Sequence, residues 1–518
     1  MLESWREIIP DFDGLREVLA QPPATTLRAN RLRIEGAALA AGLRRAGLKA
    51  RALAWYPDAV EVEGLERPGA TLEHFLGLYH VQGATSMIPP LALELAPGQR
   101  VLDLCAAPGS KTTQICELLQ GRGWVLANDP AQQRLGILKA HLERLGHTAA
   151  CLAARPGEAW PDGLLFDRVL VDAPCSGSGT WRLVGRQGNG PGEGQGEEAH
   201  EAEPARGWSR EELAQLGARQ RRLLRRAANL VVPGGVLVYS TCSYDPEENE
   251  VVLDELLRAR PDLELEELPA AVALPGGGRA VLPPGEPGLT RWGNRRLLGV
   301  LERARRYYPH RGLNAAGFFV ARLRRHEPPA GRRRRHRPGR PAAPAGEPAP
   351  ARALRERALA YLRERFGLQL PAAWPGTRLQ AAGRSVWLVA EAMPAWQALA
   401  PWRPQNPGLR LVRERGGRLK PTSYGLIALG AALVRGRVEL QAEQLGALLR
   451  GERIARPGAE LSALGPGYVA AAAGGRVLGC AWLGTAGLRG EIPRDAARRV
   501  QQALFVLGRP VALTPPPH

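Results

Sequence analysis

Val101-Leu102-Asp103-Leu104-Cys105-Ala106-Ala107-Pro108-Gly109-Ser110-Lys111-Thr112 is the stretch whose reading decides the fold. An apolar run closing on an aspartate reads as a buried strand, and helical spacing begins after Ser110. Between them, Ala106-Ala107-Pro108-Gly109-Ser110 is a turn small enough for the backbone to approach a ligand, with the free N–H groups of a helix start behind it. The GxxxxGK[ST] spacing that cradles a triphosphate is absent, because Lys111 stands only two residues past the last glycine. Asp129 follows Asp103 by 26 residues, near the interval of about 20 at which an acid at the second strand's end accepts from ribose hydroxyls. Asp129 also precedes Pro130 at a helix start, so a capping role competes with that one. The loop suits a nucleoside cofactor without a triphosphate.

Outward from this stretch, apolar runs at Arg100–Leu104, Trp124–Ala127, Ala149–Leu152, Arg168–Val171 and Val236–Tyr239 alternate with helical patterns at Thr112–Leu119, Ala131–Leu145 and Ser209–Leu230. Such alternation predicts an α/β fold with a doubly wound parallel sheet and right-handed crossovers. Ligands bind such sheets at the carboxyl ends of the strands. The chemically distinctive residues fall there: Asp103 to Lys111, Asn128-Asp129, Asp172-Ala173-Pro174-Cys175 and Thr241-Cys242.

A lone cysteine at a strand end is more often a small core residue than a reagent. Two of them, Cys175 and Cys242, sharing one crevice with Asp172 and a cofactor loop, reverse that judgement. The arrangement fits covalent catalysis on a pyrimidine. A thiolate adding at carbon 6 makes carbon 5 an enamine that attacks a methyl donor. The addition calls for a proton or strong hydrogen bond at ring nitrogen 3, which Asp172 supplies provided burial raises its pKa.

The chain has 518 residues, enough for two to four domains. Its net charge is +19, with 70 Lys+Arg against 51 Asp+Glu. That balance suits a polyanionic partner such as RNA, although only four of the 70 are lysine and the excess of arginine also fits a coding bias. Six cysteines without a CxxC pair argue against a disulfide framework and a structural metal site, so no metal is expected. Neither a signal segment nor an apolar run of membrane-spanning length is found, and a cytoplasmic protein without a membrane partner is expected.

Two stretches read as unable to bury a core. One is a glycine/glutamate-rich insertion at about 185–206; the other is a Pro/Arg-rich linker at 327–351. They divide the chain into an N-terminal accessory RNA-binding domain (1–90), a catalytic domain (91–326) and a C-terminal RNA-binding domain (352–518). In the first, Thr26 to Ile34 reads as an alternating strand with its basic residues outward. In the last, Ala353–Phe366 has helical spacing.

The motifs together resemble the Sun/nucleolar-protein family of RNA (cytosine-5) methyltransferases. Asp103 to Thr112 is similar to its cofactor motif, Asp172-Ala173-Pro174-Cys175-Ser176-Gly177 to its base-binding motif, and Ser240-Thr241-Cys242-Ser243 with Glu247-Glu248-Asn249-Glu250 to its nucleophile motif. The likeness runs from Leu27 through Leu323, with matches at Gly77 to Gln82 and Gly317-Phe318-Phe319. It implies a Rossmann-like methyltransferase sheet with a small N-terminal α+β domain and a C-terminal α+β, PUA-like extension. It also implies S-adenosyl-L-methionine as cofactor, held by Asp103, Cys105, Ala106, Ala107, Pro108, Gly109, Lys111, Asp129, Arg134 and Asp172. By the same likeness Cys242 attacks, Cys175 assists release, and Pro174, Lys111 and Asp172 hold the cytosine. The chain departs from the family pattern at Gly83, Ala154-Arg155, Ala316 and Trp181-Arg182-Leu183, which bears on adenine contacts and the substrate loop.

The bacterial ribosomal-RNA branch, the RsmF type, is the closer likeness, through Gly408 to Arg413 and Lys420 to Ser423. It implies small-subunit ribosomal RNA as partner, with tRNA as the alternative, and a monomer. An exposed loop is the expected target, since the base must turn into the pocket. A DNA cytosine methyltransferase also carries Pro-Cys but needs a Glu-Asn-Val motif, where this chain has Glu248-Asn249-Glu250-Val251. A non-enzymatic assembly factor would be expected to lose a cysteine or the cofactor loop, and both are kept. His310 reads as a surface-loop histidine or an RNA contact.

Overall fold

The computed structural model describes residues 5–181, 208–327, 347–370, 372–455, 465–508 and 511–512. The insertion read at 185–206 and most of the linker lie outside them. Five parallel strands form the centre: β1 (Arg100–Asp103), β2 (Trp124–Asn128), β3 (Ala150–Ala153), β4 (Phe166–Asp172) and β5 (Val231–Thr241). A sixth, β6 (Phe318–Arg325), pairs antiparallel with β5, and the order across this part of the sheet is β3-β2-β1-β4-β5-β6. Alternate residues of each strand face opposite cores. Val101, Val125 and Leu170 pack with Ile115 of helix α1 (Ser110–Leu119) and Leu138 of α2 (Gln132–Leu145). Leu102, Leu126 and Val169 pack with Leu224 of α3 (Arg210–Leu230) and Val252 of α4 (Glu250–Ala259). The sheet is therefore covered on both faces, and chain reversal at β1 opens a crevice above β1 and β4.

Two readings are corrected. The strand Thr25–Ala29 does not turn its arginine outward: Arg28 is fully buried. Its guanidinium reaches α1, donating to both carboxylate oxygens of Glu117 (3.0 and 2.9 Å), to Ser110 O (2.8 Å), to Thr113 Oγ1 (2.8 Å) and to the Gln82 side chain. Period-two alternation identified the strand but not which face was covered. The presumed linker also ends earlier than expected, because a helix runs from Ala349 to Phe366. Pro350 in its first turn costs no intrahelical bond and is compatible with a helix start.

The C-terminal region completes the sheet and covers the N-terminal part. Pro404–Pro407 adds an antiparallel strand beside β3. Leu72, Phe75 and Leu78 share a core with Leu362, Leu426 and Val469, while buried Glu73 accepts the N–H groups of Leu504, Phe505 and Val506.

The Arg28–Glu117 pair is a buried charge pair whose guanidinium donors all find acceptors. Removing one partner strands the other. Arg28→Ala is expected to destabilise the chain by about 3–5 kcal/mol, read from denaturant unfolding of the region it joins. Combined with Glu117→Gln, the loss should fall short of the sum; additive losses would contradict the pairing.

Candidate active site

The register of the parallel strands brings the sequence-predicted residues together. Asp172 ends β4 opposite Ser240 of β5, whose hydroxyl donates to Asp172 Oδ1 at 2.7 Å. The chain then turns into two facing loops, and Cys175 Sγ lies 3.3 Å from Cys242 Sγ. Both cysteines are half-buried.

What holds the loops is a set of residues to which the sequence reading gave no role. Glu248, fully buried, accepts the Ser176 N–H at 3.0 Å and the Gln220 amide at 2.8 Å. The same amide group also donates to Pro174 O at 2.9 Å. Burial pushes the Glu248 carboxyl above its usual range, against the donors that favour its charged form. Gly179 donates its N–H to Cys242 O at 2.8 Å, and a Cβ there would sit 2.6 Å from Gly317 O and 2.8 Å from Cys242 O. Ser176 and Glu248 were flagged only as members of the Ser176-Gly177 and Glu247-Glu248-Asn249-Glu250 motifs, and Gln220 and Gly179 lie outside every motif quoted.

The cofactor loop sits beside the thiol loops. Lys111 Nζ forms an ion pair with Asp172 Oδ2 at 2.8 Å, donates to Ser86 Oγ at 2.9 Å and lies 4.9 Å from the Phe318 ring centre. The Asp172 side chain is 27% exposed, so the deep burial invoked for it is not present. Asp103 accepts from Thr112 Oγ1 at 2.6 Å through Oδ2, while its buried Oδ1 has no partner among the described residues. Burial pushes the Asp103 carboxyl from 3.8 up to about 7, opposed by the Thr112 hydrogen bond and reinforced by the Asp172 charge. An orphaned acceptor with a raised pKa, beside a glycine turn, fits a cationic ligand.

Gly109 has φ of 116°, and a Cβ there would meet Leu138 Cδ1 at 2.4 Å, so only glycine lets α1 start against α2. Asp129 accepts the N–H of Ala131, the N-cap residue of α2, at 2.9 Å and pairs with Arg134 at 3.2 Å, without capping the helix. Arg134 also donates to Ala107 O over the loop. Cys105 is half-buried with its thiol pushed up by burial. His310 is not in this group: its Nε2 reaches Pro10 O at 2.9 Å and its ring stacks on Tyr308.

Strand order β3-β2-β1-β4-β5 with antiparallel β6, and a small-residue loop after β1, define a Rossmann-like fold of the kind methyltransferases use. Residues 90–185 and 195–324 match the family model described as 16S rRNA methyltransferase RsmB/F. Through this region the chain is similar to that family. It is 32% identical over 336 residues to "Ribosomal RNA small subunit methyltransferase F" of Escherichia coli, a match covering 62% of each chain. The protein of that name from Salmonella paratyphi C is 32% identical over 335 residues, and the chain spans 62% of its length. Among solved structures, that of PH0851 superposes with a TM-score of 0.51 at 26% identity, covering 62% of this chain and 65% of the other. NSun6 from Pyrococcus horikoshii, solved with SFG, shares the fold with a TM-score of 0.50 at 20% identity, covering 63% of this chain and 98% of the other.

The Asp103 carboxyl yields a pH test. Its folded pKa of about 7 exceeds the ordinary 3.8, so the stability it contributes is complete below about pH 4 and lost as pH rises through 7. In the cofactor-free chain, Asp103→Asn is expected to raise the unfolding temperature relative to the unsubstituted chain at pH 8 and much less at pH 4. An equal offset at both pH values would contradict the buried, unpartnered carboxyl.

Proposed function

We propose that this protein methylates carbon 5 of cytosine in RNA through a covalent cysteine–cytosine adduct, with small-subunit ribosomal RNA as the substrate. The observation that carries the reading is the thiol pair at 3.3 Å beside the Lys111–Asp172 ion pair. The names of the curated relatives support the choice of RNA.

S-adenosylmethionine, held by the Ala106 to Gly109 turn with Asp103, Lys111, Asp129 and Arg134, would supply an electrophilic methyl group. The protein's own residues do the rest. Cys242, as thiolate, adds to carbon 6, which turns carbon 5 into the nucleophile. Lys111 and Asp172 bind the polar edge of the ring and stabilise charge at nitrogen 3, while Pro174 packs the base. After methyl transfer the proton on carbon 5 passes to a base, the carbon 6–sulfur bond breaks, and the Cys242 thiolate is regenerated. Cys175 assists this release.

The asymmetry between the sulfurs has two supports. The Cys175 thiol is held well above its usual pKa, first by its hydrogen bond with Cys242 and then by burial. That direction favours a protonated Cys175, while in the 3.3 Å contact either sulfur can be the donor; the choice of Cys242 as the attacking sulfur rests on the likeness of its loop to the family's nucleophile motif. The N-terminal part (1–90) and the C-terminal part (352–518) would serve as RNA-binding modules around the catalytic domain.

Transfer of labelled methyl groups to small-subunit ribosomal RNA, with tRNA as the comparison, tests the proposal. Cys242→Ala is expected to abolish transfer and form no covalent RNA adduct. Cys175→Ala is expected to accumulate an adduct that survives denaturation. An adduct persisting in Cys242→Ala would overturn the assignment, and RNA binding without any transfer would favour a non-enzymatic assembly factor.

A further inference from the structure

We infer that Asp245 is a positioning residue for the thiol pair, and that Trp5, near the start of the chain, holds it in place. The inference rests on Cys175 and Cys242 being the reacting pair, as proposed above. Asp245 stands between the two parts of the nucleophile motif, three residues past Cys242. Its carboxylate is within hydrogen-bond reach of hydroxyls from both thiol loops.

Two serines carry the link. Ser178, in the loop of Cys175, has its Oγ 2.8 Å from Asp245 Oδ2, and Ser243, which follows Cys242, has its Oγ 3.1 Å from the same oxygen. A hydroxyl has one proton to donate and two lone pairs with which to accept. Ser178 Oγ accepts the Tyr244 N–H at 2.9 Å, and Ser243 Oγ accepts the Asp245 N–H at 3.0 Å. The two hydroxyls also lie 3.2 Å from each other, but a charged acceptor makes the stronger bond, so both protons go to the carboxylate. Ser176 Oγ is 3.3 Å from Asp245 Oδ2 and 2.5 Å from Glu248 Oε2, so its single proton belongs to Glu248. One oxygen of Asp245 therefore ties Ser178 to Ser243, and with them the loops of the two cysteines.

The other oxygen faces a distant part of the chain. Trp5 Nε1 donates to Asp245 Oδ1 at 3.3 Å. Trp5 is buried, its ring meets Tyr244 edge-on with centroids 5.1 Å apart, and it shares a core with Ile8, Phe12 and Tyr308. Packing fixes the indole, the indole fixes the rotation of the carboxylate, and the carboxylate fixes the hydroxyls. A local turn is the plainer reading, because Ser243 and Asp245 are two residues apart and Pro246 follows. That reading accounts for neither Ser178, 67 residues away, nor Trp5, 240 residues away. Misplacing a reacting group by about 1 Å costs up to about a hundredfold in rate. A shift in sulfur spacing therefore shows in turnover before it shows in binding.

The test compares Asp245→Asn, Trp5→Phe and the double variant in the full chain, at a temperature where circular dichroism shows each one folded. Asn keeps the shape of the carboxylate, but its NH2 must face either the two hydroxyls or the indole N–H, donor against donor. Phe keeps an aromatic ring and removes the indole donor. Asp245→Asn is expected to lower kcat for RNA methylation at least about tenfold, with the KM for RNA and the cofactor affinity unchanged. Trp5→Phe should lower it less, and the double variant should recover about threefold or more over Asp245→Asn. A second readout needs no methylation. Phenylarsine oxide condenses with two adjacent thiols, forming two arsenic–sulfur bonds and releasing its oxygen as water, and peptide mass mapping locates the arsenic. It should bridge Cys175 and Cys242 in the unsubstituted chain and do so more slowly in Asp245→Asn. Equal kcat and equal capture in Asp245→Asn would overturn the inference, as would single losses that simply multiply in the double variant. A fall in kcat that only tracks a lowered unfolding temperature would leave the local turn as the answer and overturn it too. If the unsubstituted chain bridges the arsenic but methylates no RNA, the proposed reaction falls, and slower capture in Asp245→Asn still upholds the positioning role. If it methylates RNA and all variants match it, only this inference falls.

Discussion

Two loops leaving adjacent parallel strands are pinned to each other by one buried carboxylate, and the candidate site depends on that constraint. Glu248 accepts from the Ser176 backbone and from Gln220, which also holds Pro174 O. The chain of Cys242 is fixed from the other side by the Gly179 N–H. Loops that follow strands are ordinarily the mobile part of an α/β fold. Here they are tied by charge-assisted hydrogen bonds in a dry setting, where each bond is stronger and a lost one costs more. The separation of 3.3 Å between the sulfurs is a product of that lacing, not of either cysteine.

The N-terminal sheet belongs to the same construction. Arg28 donates to Ser110 O, the first residue of α1, and to Glu117 near its end. Ser86 holds the Lys111 ammonium, and the Gln82 amide donates to Ser86 O at 3.2 Å. A segment that reads as an accessory therefore orients the lysine that faces Asp172. The C-terminal region in turn closes over the N-terminal part through Glu73 and adds a strand beside β3, so the sheet carrying the site gains contacts from both ends of the chain.

Much of this was legible in the residues. Strand ends at Asp103, Asn128, Asp172 and Thr241 followed from apolar runs interrupted by polar residues, and the parallel topology made them neighbours. What was illegible shares a cause. Whether Arg28 points to water or inward depends on what packs across the strand, and Glu117 is 89 residues away. The antiparallel β6 and the helix α4 fell in stretches read as motifs rather than elements. Glu248, Gln220 and Ser86 act through partners distant in sequence, so local pattern could name a motif for Glu248 without giving it work and passed over the other two. The exposure of Asp172 was not legible because exposure is a tertiary property: the crevice leaves that side chain 27% exposed, and Lys111 partners it.

The central claim is that Cys242 is the sulfur that bonds to the base. RNA carrying 5-fluorocytosine at the target traps such a bond, since carbon 5 then has no proton to lose. Peptide mass mapping of the trapped chain reads the attachment point directly. The account predicts a cofactor-dependent nucleotide adduct on the peptide containing Cys242 and an unmodified Cys175 peptide; attachment at Cys175 would contradict it.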